Sequence, residues 1–213
     1  MDPLISSILS EVSHLQHKLS DSMVYSEECK SINLLINNYA KALKTSKYAS
    51  SQLSYEEEES FERIHSVVCK LSNIVQMLSK DFWGSVALEW SIQKPINEMT
   101  KSMESLYFNL TTLGIDVQKY AVDEKMLKKD ICYLYLIFNS AKKDVPKLRV
   151  RKNSLVKYMN ENKIDIPNGK NTFSLNIYQE YLVEHERFTL QKQIGFGATG
   201  DVYFGKDLQT GQD

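Results

Sequence analysis

Apolar residues recur at three- and four-residue intervals along most of the chain, the spacing that gathers them on one face of an α-helix. Leu4, Ile8, Val12, Leu15 and Leu19 form the first stripe and predict a helix over 3–22, with Pro3 in the first turn, where its missing N–H costs nothing. Ile32, Leu35, Ile36, Tyr39 and Leu43 form the second, on a helix from about Ser26 to Tyr48. The third stripe is the longest and runs through Ile64, Val67, Val68, Leu71, Ile74, Val75 and Leu78. The acidic run Glu56 to Glu59 precedes it, placing negative charge at the positive end of the helix dipole. Gly84 and Ser85 read as a break. Beyond them Ile92, Ile96, Met99, Met103, Leu106 and Leu110 resume the pattern, and Pro95 either kinks one helix or separates a short helix from a new one. Gly114 is a candidate C-cap and Asp116 a candidate N-cap for a fifth helix to about Lys143, packed through Leu127, Ile131, Leu134 and Phe138 and ended by Pro146. Leu148 to Asn160 reads as another short helix, Ile164 to Lys170 as a turn, and Leu175 to Val183 as a short helix or tether.

One-sided helices of this length must bury their stripes against one another, so the predicted fold is all-α. The expected architecture is an antiparallel bundle of four to five long helices over residues 1–143, with the third helix central, followed by a linker with short helices over 144–187. The pattern then changes. Phe188 to Ile194 and Val202 to Gly205 are apolar enough for two strands, and the glycines between them suit a hairpin turn, so residues 188–213 read as a separate β-element.

Composition narrows the class. With 26 basic and 27 acidic residues the chain is nearly neutral, but residues 123–170 carry 12 basic and 6 acidic ones and form the positive stretch. Cys29, Cys69 and Cys132 are odd in number and fall in helical patterns, as expected of reduced thiols in a cytoplasmic protein. No run of about eighteen apolar residues supports a membrane span, and the first helix carries polar groups on every turn, unlike a signal peptide.

Candidate chemistry is sparse over the first 170 residues. Lys142, Lys143, Lys147, Arg149, Arg151 and Lys152 form the strongest local charge cluster. It reads as a solvated face or as a contact for anionic lipid, at roughly 1 kcal/mol for each cation near an acidic surface. Nucleic acid is not expected, since zinc-finger spacing, a helix-turn-helix pattern and an aromatic platform are all missing. Consecutive Glu56 to Glu59 point around their helix, and His14, His17, His65 and His185 show no Cys or Asp partner at ligand spacing, so no metal site is expected. Phe82, Trp83 and Trp90 flank the helix break and read as an apolar plug, the alternative being an edge that faces a partner or a membrane. No nucleophile motif or carboxylate pair stands out, and no catalytic residue is assigned.

The last stretch is the most specific. Ile194-Gly195-Phe196-Gly197-Ala198-Thr199-Gly200-Asp201-Val202 has the G-x-G-x-x-G-x-V form, with glycines where backbone must approach a triphosphate and a Val beyond them to cover adenine. It is not a Walker A loop, which needs Lys and Ser or Thr after its last glycine, whereas Gly200 is followed by Asp201. With Phe188 to Gln193 before it and Tyr203 to Lys206 after it, the segment resembles the start of a kinase domain of the tyrosine-kinase-like group. The order of helical bundle, linker and kinase strands, together with Cys29-Lys30-Ser31-Ile32-Asn33-Leu34-Leu35-Ile36 in the second helix, is similar in architecture to the mixed lineage kinase domain-like proteins and their plant relatives.

That resemblance implies that Gly195, Gly197 and Gly200 cover phosphate and that Ile194 and Val202 wall the adenine, with Phe196, Ala198 and Thr199 completing the loop. Thr199 stands where many relatives carry Phe or Ser. It further implies a bundle that regulates, self-associates and docks its own kinase or pseudokinase domain, or alternatively binds anionic membranes once that domain releases it, at a peripheral location. ATP and magnesium would be cofactors of the parent protein if it is an active kinase. None is expected for residues 1–213 alone, because the third-strand Lys and the catalytic and magnesium-binding Asp residues are not among them, and Lys206 follows Val202 too closely to be that Lys.

Overall fold

The computed structural model describes residues 2–79, 82–140, 146–167, 188–197 and 200–207. The described chain is all-α up to residue 167, with helices α1 (Pro3–Ser20), α2 (Ser26–Thr45), α3 (Tyr55–Met77), α4 (Trp83–Glu89), α5 (Lys94–Thr112), α6 (Glu124–Ser140) and α7 (Pro146–Glu161). Two strands follow later, β1 (Phe188–Gly197) and β2 (Gly200–Asp207). No described helix is long and apolar enough to cross a membrane.

The helix ends follow local chemistry. Asp2 caps α1 by accepting the Leu4 N–H at 2.8 Å, and Pro3 opens it. At α3 the Glu57 N–H donates to Ser54 Oγ and the Ser54 N–H to Glu57 Oε2, a reciprocal capping box, so part of the acidic run serves the helix start. The end of α5 is a Schellman motif: Gly114 has φ 72°, its N–H reaches the Thr111 carbonyl and the Ile115 N–H reaches Leu110. Glycine suits that left-handed turn because it carries no Cβ. α7 closes the same way with Lys163, φ 52°, in the left-handed position and the Ile164 N–H on the Met159 carbonyl.

The stripes meet in one core that includes Ile8, Leu15, Ile32, Ile36, Leu71 and Met103. α3 is central to it, in contact with α1, α4 and α5, while α2 packs on α1 and α6, and α6 on α7. α1 and α3 lie side by side and run the same way, since Ser7 meets His65 near their starts and Lys18 meets Ser72 further along.

Two expectations need correction, at Gly84 and at Asp116, and Pro95 and Pro146 take definite places. Gly84 and Ser85 lie inside α4 and do not break a helix; Gly84 is buried in its first turn. Pro95 starts α5 after the separate short helix α4, which settles the choice between kink and restart. Asp116 caps nothing: the chain is non-helical from Ile115 to Asp123, and Asp123 is the cap of α6, its Oδ1 accepting the N–H groups of Lys125 and Met126. Tertiary hydrogen bonds hold that non-helical stretch in place, from Tyr39 Oη to the Gln118 carbonyl at 2.6 Å and from Tyr120 Oη to Glu28 at 2.7 Å. Pro146 opens α7, its fixed φ suiting a first helical residue, while α6 is described to Ser140. The turn expected past Pro167 and the helix expected over 175–183 lie outside the described residues.

Candidate functional site

β1 and β2 pair antiparallel, with Gly195 opposite Val202, Phe196 opposite Asp201 and Gly197 opposite Gly200. The pairing thus gathers Gly195, Gly197 and Gly200 at the closed end of one hairpin. Ile194 falls at a register shift between Gln193 and Gly195, a bulge just before the first glycine. Ala198 and Thr199 lie outside the described residues. Lys206 pairs with Thr189 on the same hairpin, so it belongs to the second strand and not to a third.

The basic cluster is less uniform than its sequence. Lys142 and Lys143 lie outside the described residues, and Lys147 is in the first turn of α7. Arg149 is exposed. Lys152 donates from Nζ to Asn139 Oδ1 at 2.5 Å, tying α7 to α6. Arg151 is turned inward: its guanidinium donates to the carbonyl of Ala87 in the last turn of α4, at 3.1 Å, and to that of Trp90, the C-cap of α4. A cation at that negative helix end stabilises α4 and α7 together. Arg151 is therefore a structural residue and does not lie on an outward-facing cationic patch.

The aromatic trio divides similarly. Trp83 is fully buried, Phe82 is 44% exposed, and Trp90 carries Lys94 Nζ 4.4 Å from its ring centroid. Trp83 is a plug, and Phe82 is not.

Two groupings have no counterpart in the sequence reading. The first is a polar junction where α2, α6 and the non-helical segment before α6 meet. Tyr25, the N-cap of α2, has φ 56° and makes no side-chain cap; the Asp130 carboxylate takes that role from α6, accepting the Glu27 N–H at 3.1 Å and the Glu28 N–H at 3.0 Å. Glu28 is wholly buried and accepts from Tyr120, while Tyr25 Oη donates to the Ile92 carbonyl at 2.7 Å. Burial raises both carboxyls, taking Asp130 up to about 6 despite the two N–H groups that pull it down. Burial also raises the phenols of Tyr25 and Tyr120. Only one sequence signal pointed here: Glu28 falls three residues after Tyr25, on the same side of α2 as the core residue Ile32.

The second grouping is at the α1–α3 seam, where Cys69 Sγ lies 3.9 Å from His65 Nε2, which also meets Ser7 Oγ at 3.4 Å. The i, i+4 relation of His65 and Cys69 was the overlooked spacing. It forms neither a metal site nor an activated nucleophile: no set of three donors able to hold a metal occurs among the described residues, and burial with the nearby Glu11 raises the Cys69 thiol. Cys29, fully buried, is pushed up to about 12 and is inert.

Comparison with family models, curated proteins and solved structures finds no match to this chain.

Proposed function

We propose that the helical part is an antiparallel bundle that acts as the regulatory and oligomerisation module of a tyrosine-kinase-like protein kinase or pseudokinase, and that residues 188–213 begin its kinase domain. The observation that carries this reading is the hairpin register, which brings Gly195, Gly197 and Gly200 together at one end with Val202 opposite Gly195. Glycines so placed permit close approach of backbone to phosphate. Side-chain hydrogen bonds from α1 to α3 and between α2 and α6 tie the helical part together. Its partners are then a second copy and the kinase or pseudokinase domain. The lipid-binding alternative draws on the basic cluster, and the inward-facing Arg151 argues against it.

A nucleotide lid without a floor holds nucleotide poorly, because positioning requires groups on both sides of the phosphates. Titration calorimetry of residues 1–213 with ATP and magnesium is expected to give no binding tighter than the millimolar range, and no phosphotransfer should be measured. A micromolar dissociation constant would contradict this and would mean that the helical part completes the site.

A further inference from the structure

Glu28 and Asp130 place two carboxyls at the α2–α6 junction, one fully buried and one 3% exposed. Among the described residues neither has an ion-pair partner. The cations nearby are engaged elsewhere: Lys30 and Lys129 both reach Glu27, at 2.5 and 3.6 Å, and Arg151 is held by the α4 carbonyls. The other groups that face the pair are Tyr120 and Asp123 from the segment before α6, and Tyr25 and Cys29 from the start of α2. The phenols and the thiol are neutral, and Asp123 and Glu27 add negative charge. Two neighbouring buried carboxylates with no cation are costly to ionise together, and a shared proton relieves the cost.

We propose that Glu28 and Asp130 together bind one proton, and that this proton fastens α6 to the first turn of α2, while its loss loosens α6 there. The hydrogen-bond pattern suits such a device. Among the described residues Asp130 alone caps the start of α2 with its side chain, and Glu28 is what Tyr120 holds, so unpaired charge on the two buried acids loads both attachments of the α6 side at once.

The direction of the pH effect follows from the raised carboxyls. A carboxyl whose folded pKa lies above its unfolded value takes up a proton on folding, so stability rises as pH falls through the folded pKa and levels off below the unfolded one. With Asp130 at about 6, lowering the pH from 7.5 to 5.5 raises the folded-to-unfolded ratio roughly fourfold. Glu27 and Glu57, whose partners hold them below the ordinary range, act in the opposite sense, but only below about pH 4.5.

The test is thermal unfolding of residues 1–213 at pH 7.5 and 5.5, for the wild type, Glu28→Gln and Asp130→Asn, together with the side-chain carboxyl resonance of Asp130 in the wild type. The wild type is expected to melt higher at pH 5.5, either variant to narrow that difference, and the Asp130 carboxyl to titrate around 6. α6 amide exchange, corrected for intrinsic rates, should slow at the lower pH. A midpoint unchanged or lower at pH 5.5 in the wild type, or a carboxyl that titrates near 4, would overturn the proposal. Should a variant fail to fold, the wild-type carboxyl titration decides alone.

Discussion

Replacing Leu71 by Asp is expected to destabilise the chain by more than about 4 kcal/mol. Leu71 is fully buried in α3, the helix that touches α1, α4 and α5. Among the described residues no Lys or Arg is fully buried to meet a carboxylate there, and an unpaired buried charge either stays costly or protonates at a further cost. Domains of this size are stable by about 5–15 kcal/mol, so the variant should unfold at a far lower temperature or denaturant concentration, or fail to accumulate as a folded protein. A melting curve equal to that of the wild type would remove Leu71 from the core and α3 from its central position.

The second large effect is expected at Trp83. α4 has only seven residues and cannot stand alone, since short isolated helices are marginal in water. It is held by its buried face of Trp83, Val86, Ala87 and Leu88 and by Arg151 at its C-terminal carbonyls. Trp83→Ala removes the largest fully buried side chain and should cost about 3–5 kcal/mol. Amide exchange would show where the loss falls: protection should drop first in α4 and in α7, which contacts it. Loss spread evenly over every helix, with α4 no worse than the rest, would show that α4 is not the local unit described.

The helices were legible because each buries one face, and a period near 3.6 records that burial in the sequence alone. Ile64 to Leu78 is the clearest case, and nearly every position of that stripe is buried or packed on the core. What was not legible depends on partners far along the chain. Val117, Tyr120 and Ala121 have helical spacing, yet that segment is not helical, and hydroxyls of Tyr39 and Tyr120 tie it to residues 79 and 92 positions away. Glu28 looks like an exposed first-turn acid until Tyr120 folds over it. Arg151 looks like one of six surface cations until α4, 61 and 64 residues earlier, presents its carbonyls. For the candidate site the division differs: the glycine spacing of the hairpin was plain in the sequence, since it is a local backbone requirement, whereas the Glu28–Asp130 junction joins positions 102 apart and left only the placement of Glu28 on the core side of α2 as a trace.

The proposed role as an interaction module is tested most directly by light scattering coupled to size exclusion for residues 1–213, at tens of micromolar and physiological salt. The proposal expects a mass of at least two chains, falling towards one on dilution. A mass of one chain, 24.6 kDa, at every concentration would contradict self-association as the work of the helical part.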